Sequence, residues 1–586
     1  MLFIYIVPGI ALFPKFILNP RTTAAIPFLS ISIVVSAQYL LTTLNQFNQQ
    51  NVIIFIGILS LLAIYRLYGI YQAYVKLDSN WTKTDCKALL LIFFSSIPLM
   101  IILGLDAFQH ADEIYSWNLW AKKIYFNQVV TFEQTGAPYP LLLPSLIAFC
   151  YKFIGNIDYQ LPIKFTFSII YLSTIFIVFS FSNTKNKIGI FFITFIIVFL
   201  IIGVGYEYKK VWADTLMSGF LVSSLALLIS LSNRQHHINK NISPISILLT
   251  SVILICSASL TKQGAMLWTM LIYPLLAYVI IDNNKKLSNP IKLVLLAPIL
   301  TPILQSLYWY FIVGRSFHTN QGVVSRSMGD RGYFEQLLFG FNESFVAEGR
   351  LILLLFMTTV FIVLLKKINF EKAIIAFGIA LSTIFLFIFG SYETTRLYLH
   401  VILTGWLILF SYGDHITTKK IGHIISIIGN SFYTYTLVGF LFIFWSFNSF
   451  NDRMIGIDRV SNFLDGREVQ ANWVIGETGA EQYRNILKSQ MGLWGEDNHV
   501  WGIYYGMHNF RRGELYNPDL QYVIQRMIDE NIGWIYSKEG NNNIKKIQDL
   551  CSDSITKIKT NSLYEVSLYK FSINKIRSCN ELKTIK

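Results

Sequence analysis

The chain has 586 residues, 53% hydrophobic and only 14% charged, with 48 Lys+Arg against 34 Asp+Glu and a formal net charge of +14. This excludes an ordinary soluble domain, because apolar runs of about 20 residues, each enough to cross roughly 30 Å of hydrocarbon, recur up to about residue 447. The basic excess is not a nucleic-acid surface: residues 451–586 hold 18 Lys+Arg and 17 Asp+Glu, so nearly all of it lies between the apolar runs and reads as membrane topology.

Residues 1–18 lack a basic start and a small-residue cleavage site, so they read as a first span rather than a leader. Backbone groups in lipid must be satisfied within the segment, so the runs are expected to be helices. The candidate spans are 2–18, 24–44, 51–75, 87–105, 160–182, 188–205, 213–232, 243–260, 264–281, 291–313, 350–366, 372–390, 396–413 and 421–447. Lys/Arg-rich segments fall around Lys15/Arg21, Lys76–Lys87, Lys185/Lys187, Arg234–Lys240, Lys285–Lys292, Lys366–Lys372 and Lys419/Lys420. With these on the cytoplasmic face, the segments 45–50, 106–159, 206–212, 261–263, 314–349, 391–395 and the whole tail face outward. The alternation holds only if 139–155, short and carrying Pro140, Pro144 and Lys152, does not cross. The expected fold class is therefore a polytopic all-α membrane protein of about 14 transmembrane helices, with a small C-terminal α/β domain.

In the first large outer loop, Ile114, Trp117, Ala121, Ile124 and Tyr125 recur at helical spacing, which predicts a helix over 112–126 lying in the interface. Trp117, Trp120 and Tyr125 suit the headgroup layer. Asp112 reads either as that helix's N-cap, with Glu113 in the first turn, or as a carboxylate placed to accept a proton from an incoming hydroxyl. One residue can do both. Further on, "GAPYPLLLPSLIAF" (136–149) predicts a stiff turn beside the acids.

Asp214 falls just inside a span, where an acid either caps the helix or marks a polar cavity. Lys262, in a short outer turn, either snorkels or meets a lipid phosphate. The loop 314–349 carries Arg315, His318, Arg326 and Arg331, and 391–400 carries Glu393 and Arg396. Arginine's planar fork suits phosphate. Taken together, acids and cations on one side of a helical bundle describe a site for an anionic lipid and a nucleophile.

The tail, residues 448–586, alternates amphipathic runs such as 519–532 with strand-like ones at 473–477, 533–537 and 563–571, which predicts a small α/β domain. Its aromatic stretch 494–510 suits sugar stacking or ordinary core packing. The tail shows no nucleophile elbow, P-loop or dinucleotide fingerprint. The chain's five cysteines lack the CxxC spacing of a zinc cluster, and Cys551 and Cys579 can pair if the tail lies in an oxidising compartment.

Five stretches, in order, resemble motifs of GT-C-fold glycosyltransferases that use polyprenyl-phosphate sugars, in particular the aminoarabinose transferase and protein mannosyltransferase relatives. They are Asp112-Glu113, Tyr139-Pro140-Leu141, Trp212-Ala213-Asp214-Thr215-Leu216, Leu260-Thr261-Lys262-Gln263-Gly264 and Arg396-Leu397-Tyr398-Leu399. The likeness covers roughly residues 87–413, so 1–86 would be additional N-terminal helices, 87–447 a GT-C-like catalytic module and 448–586 an extracytoplasmic domain. The resemblance implies inverting transfer of a sugar from an undecaprenyl- or dolichyl-phosphate donor to a glycan, lipid or protein acceptor at the outer face. Asp112 matches the catalytic base, with Glu113 and Asp214 as further acids of the site. Tyr139, Lys262, Arg315, His318 and Arg396 would contact the substrate. Some relatives hold a divalent metal here, for which His110, Glu113 and His318 are the candidate ligands.

A lipid-linked oligosaccharide polymerase or ligase would rely instead on the loop 314–349. A flippase would show inverted repeats and mid-membrane charges, and no clear repeat is present. The Ile-, Lys- and Asn-heavy composition suggests an AT-rich prokaryotic genome, and with it a bacterial inner membrane.

Overall fold

The computed structural model describes residues 2–73, 117–128, 140–156, 213–232, 242–262, 265–282, 360–365, 369–389, 399–412, 492–495, 518–529, 531–538, 541–561 and 566–584, with isolated positions between. The expected spans 188–205, 291–313 and 421–447 and the strand at 473–477 lie outside the described residues.

Prolines and one asparagine set the first boundaries. Helix α1 (Leu2–Leu12) gives way to a 3₁₀ turn over Pro14–Leu18. Asn19 then caps α2 (Pro20–Thr43), its side chain accepting from the Arg21 amide at 2.9 Å, with Pro20 in the first helical position where a missing N–H costs nothing. The expected single span 2–18 is thus a helix plus a turn, and the second span begins at 20 rather than 24.

Next come α3 (Gln49–Ala73), α4 (Leu119–Asn127) and α5 (Leu142–Ile154). At 13 residues α5 is about 20 Å long, short of a crossing, as expected for 139–155. It stops at Gly155, whose φ of 83° only glycine adopts at little cost; a Cβ there would also overlap the Gln49 side chain. The structure differs from the expected interfacial helix in one respect. Trp117 and Trp120, each 5% exposed, pack edge to face at 5.4 Å inside the protein, because α4 lies along α5. They are core residues rather than headgroup anchors.

The remaining helices of this part are α6 (Ala213–Ser232), α7 (Pro244–Thr261), α8 (Ala265–Asp282), α9 (Phe370–Phe389) and α10 (Leu399–Tyr412). Among the described residues four helices are long and apolar enough to cross a membrane: 20–43, 49–72, 213–232 and 244–261. One buried cluster runs through all of them, from Ile4 through Val34 and Leu228 to Tyr412, so the N-terminal helices are built into the same core. Helix α6 is buried over nearly its whole length and is central. Its serines satisfy themselves along the helix: the hydroxyls of Ser218, Ser224 and Ser230 donate to the carbonyls of Asp214, Leu221 and Ala226 at 2.6–2.8 Å. Gly219 lets α2 approach, since an added Cβ would fall within the Phe28 ring, which itself meets Phe220 at 5.6 Å. Gly219→Ala is expected to destabilise by about 1–3 kcal/mol through overpacking. A thermal unfolding midpoint equal to wild type in detergent would show that this approach is looser than the structure has it.

Contacts at helix ends sort the bundle into two ends. Trp81 Nε1 donates to the Ile17 carbonyl at 2.7 Å, and Arg21 Nε to that of Ser180 at 3.3 Å. The buried Glu371 carboxylate, at the start of α9, accepts from Ser232 at the end of α6 (2.7 Å) and from the Tyr412 hydroxyl at the end of α10. Elsewhere Lys152 lies 5.6 Å from the Phe47 ring centroid, and Asp214 meets Lys262. Each of these contacts joins segments that the basic-loop alternation places on one face.

Near the C-terminus, strands β1 (Gly492–Gly495), β2 (Ile532–Lys538), β3 (Ile555–Asn561) and β4 (Val566–Phe571) form one sheet in the order β1-β2-β4-β3. The β1–β2 pair is parallel and the others antiparallel. Helices α11 (Leu520–Asp529), α12 (Asn542–Leu550) and α13 (Ile573–Thr584) contribute Val523, Met527, Ile544, Ile547 and Ile576 to a core shared with Ile535, Tyr569 and Phe571 of the sheet. A disulfide joins Cys551, at the end of α12, to Cys579 on α13.

Candidate functional site

Two of the residues singled out in the sequence meet. The Lys262 Nζ lies 2.6 Å from Asp214 Oδ1, with side-chain exposures of 18% and 4%. They are 48 residues apart in sequence and come from different helices. Asp214 sits in the first turn of α6, where an acid faces the partial positive charge of unsatisfied N–H groups. Lys262 is the residue that ends α7: its amide closes the last turn on the Ala258 carbonyl at 3.3 Å, and its backbone is already extended. A cation there faces the opposite, partly negative helix end. Both charges therefore suit their own helix before they suit each other, and their pairing fastens α6 to its antiparallel neighbour α7. Beside them Thr261, fully buried, turns its hydroxyl back to the Ser257 carbonyl at 2.7 Å.

Neither of the two bland expectations is enough by itself. Asp214 is more than a cap, because its carboxylate holds a cation from another helix. Lys262 does not extend as a free snorkelling lysine, since it is bound. The pair, with its acid buried and its ammonium partly exposed, fixes the position of one cation at a helix end.

The other predicted site residues, His110, Asp112, Glu113, Tyr139, Arg315, His318 and Arg396, lie outside the described residues. These include all three candidate metal ligands. Among the described residues no three His, Cys, Asp or Glu side chains gather as a metal site, and the Asp214 oxygen at the pair is taken by an ammonium.

The structure also shows polar features that the sequence reading passed over. One is the Glu371 cluster at the other end of α6 from Asp214. Its only sequence signal was a lone acid opening an apolar run. Another is the seam of α4 and α5, where Tyr151 donates its hydroxyl to Asn118 Oδ1 at 2.7 Å and Lys122 is 4% exposed. Lys122 was hidden in a Lys-Lys pair that reads as solvated charge.

A mostly helical chain, with helices long and apolar enough to cross a membrane and a small helix-backed sheet near the C-terminus, is as far as the fold alone defines the class. No protein-family model matches its sequence, and comparison with curated proteins finds no match.

Proposed function

We propose that the chain is an integral-membrane inverting glycosyltransferase of GT-C-like fold, moving a sugar from a polyprenyl-phosphate donor to a glycan, lipid or protein acceptor at the non-cytoplasmic face. The observation that carries the reading is the Asp214–Lys262 pair. Two stretches that resemble family motifs, far apart in sequence, bring their charged residues together at one end of the bundle.

In this mechanism Asp112 takes the proton of the acceptor hydroxyl as its oxygen attacks the anomeric carbon from the face opposite the phosphate. The new glycosidic bond forms while the bond to the phosphate oxygen breaks, so the configuration inverts. The electron pair leaves with the polyprenyl phosphate. Lys262, held in place by Asp214, stabilises that developing charge together with Arg315, His318 and Arg396, and Tyr139 lines the donor. Asp214 thus positions a cation.

The expected 14 spans place the pair and the tail on the outer side of what we take to be a bacterial plasma membrane. The disulfide in the tail supports this, since such bonds persist in oxidising compartments. Single cysteines placed at Asn127 and Lys546, both exposed, are expected to react with a membrane-impermeant maleimide from the outer side. The native exposed Cys86, in a basic loop, should be protected in the same cells. Labelling of the two introduced sites from opposite sides would refute the topology and the site with it.

The activity is tested with the purified protein in nanodiscs, supplied with polyprenyl-phosphate sugars from membrane extracts and candidate acceptors. Release of polyprenyl monophosphate in step with sugar transfer is expected. Movement of an intact donor across the bilayer without bond cleavage would instead identify a flippase.

A further inference from the structure

Four helices of the bundle leave a gap between them at mid-depth. Leu221 and Leu225 of α6, Ile272 of α8, Ile375 and Gly378 of α9 and Thr404 of α10 line it, and it holds about 410 Å³ of empty space with its mouth counted. Leu221 comes seven residues after Asp214, and Leu225 comes seven before Ser232. At about 1.5 Å of rise per residue, the gap therefore lies roughly 10 Å in from either end of α6. That is hydrocarbon depth for a helix of 20 residues. Gly378 adds no side chain to the gap, and the preceding Phe377 is 68% exposed, so α9 forms a wall with an apolar outer side.

The lining carries no charge, and Thr404 brings its one polar side chain. Thr404 is 5% exposed, and its hydroxyl has no hydrogen-bond partner among the described residues. A buried hydroxyl in a helix can turn back to the carbonyl four residues before it, as Ser411 does to Leu407 at 2.7 Å further along α10. Thr404 does not. An unmet donor in an apolar setting is costly, so a ligand oxygen gains most beside it. The lining then defines its ligand by exclusion. A carboxylate or phosphate finds no cation here, and a glycerol headgroup needs more polar partners than one hydroxyl offers. A plain alkane leaves Thr404 unmet. A hydrocarbon chain bearing one hydroxyl satisfies every wall of the gap, in keeping with sites that set a few polar groups in an apolar lining.

We infer that the gap among α6, α8, α9 and α10 is a binding site for a long-chain alcohol. The alcohol's oxygen pairs with the Thr404 hydroxyl, and its chain lies among the leucine and isoleucine side chains and leaves through the mouth. The site rests on the membrane placement of these helices and is independent of the transferase reading.

The test uses the full-length protein in phosphatidylcholine nanodiscs and a hexadecanol carrying a photoreactive diazirine on its chain. Cross-linking, mapped by peptide mass spectrometry, is expected on α9 or α10. Added hexadecanol should displace the probe, whereas hexadecane and palmitate should not. Thr404→Val keeps the shape and removes the hydroxyl, so it should weaken hexadecanol binding about three- to tenfold, the range for one neutral hydrogen bond. Thr404→Ser should retain it. Gly378→Leu fills the gap and should abolish the localised cross-link. Hexadecane or palmitate competing as well as hexadecanol, unchanged binding in Thr404→Val, or cross-links spread evenly over the apolar helices overturns the proposal. Where Gly378→Leu fails to fold, Thr404→Val decides, because valine and threonine have nearly the same shape.

Discussion

Replacing Lys262 with methionine is expected to lower stability by about 3–5 kcal/mol, because it strands the Asp214 carboxylate, 4% exposed, without its cation. Methionine fills much of the same volume, so the loss reports charge rather than a cavity. The double variant Asp214→Asn, Lys262→Met removes both charges and should recover most of that stability, since replacing a buried pair as a unit is often near neutral. Activity should part from stability at this point. If the ammonium stabilises the leaving phosphate, the double variant stays inactive although it folds. If the pair only staples α6 to α7, the double variant regains turnover. Thermal unfolding and transfer rates measured on the wild type, two single variants and one double variant separate the two roles.

Asp112→Asn should reduce transfer by about 10²–10⁴-fold, the usual loss for a general base. Its stability should barely change, because asparagine caps a helix about as well as aspartate and keeps its shape. Were Asp112 only a cap, the variant would turn over near normally, and Glu113 would become the candidate base. Asp214 is the weaker substitute, since the Lys262 ammonium already occupies its Oδ1. Donor retention by the variant, measured alongside, shows whether the loss lies in the chemical step.

Among the described residues the long apolar helices were legible from hydropathy, because a backbone that must close on itself turns such runs into helices. Helices α6 and α7 fall within a residue of their expected limits at 213–232 and 243–260. The break near Phe13 was less legible, since Pro8 lies inside α1 whereas Pro14 opens a 3₁₀ turn, and hydropathy does not distinguish them. Strands β1 and β3 were missed for different reasons. β1 is a four-residue segment bounded by glycines, and β3 sits at the sheet edge with Lys557 and Lys559 either side of a register shift. At the site, sequence pointed to Asp214 and Lys262 one at a time. Their partnership is a tertiary fact, set by the antiparallel packing of two helices. The same holds for Asn118, whose side chain accepts from Tyr151 of α5, 33 residues away. Trp117 and Trp120 misled because a helix stripe that suits the headgroup layer suits a protein neighbour equally well.

The central claim, transfer from a polyprenyl-monophosphate sugar, is tested most directly by mass spectrometry of lipid-linked sugars and envelope glycans. Cells that carry the active protein are compared with cells in which the gene is deleted or carries Asp112→Asn. One polyprenyl-monophosphate sugar should accumulate when activity is lost, and the same sugar should disappear from a single envelope acceptor. An unchanged pool of monophosphate-linked sugars, with every envelope glycan intact or with a diphosphate-linked oligosaccharide accumulating instead, would contradict the account.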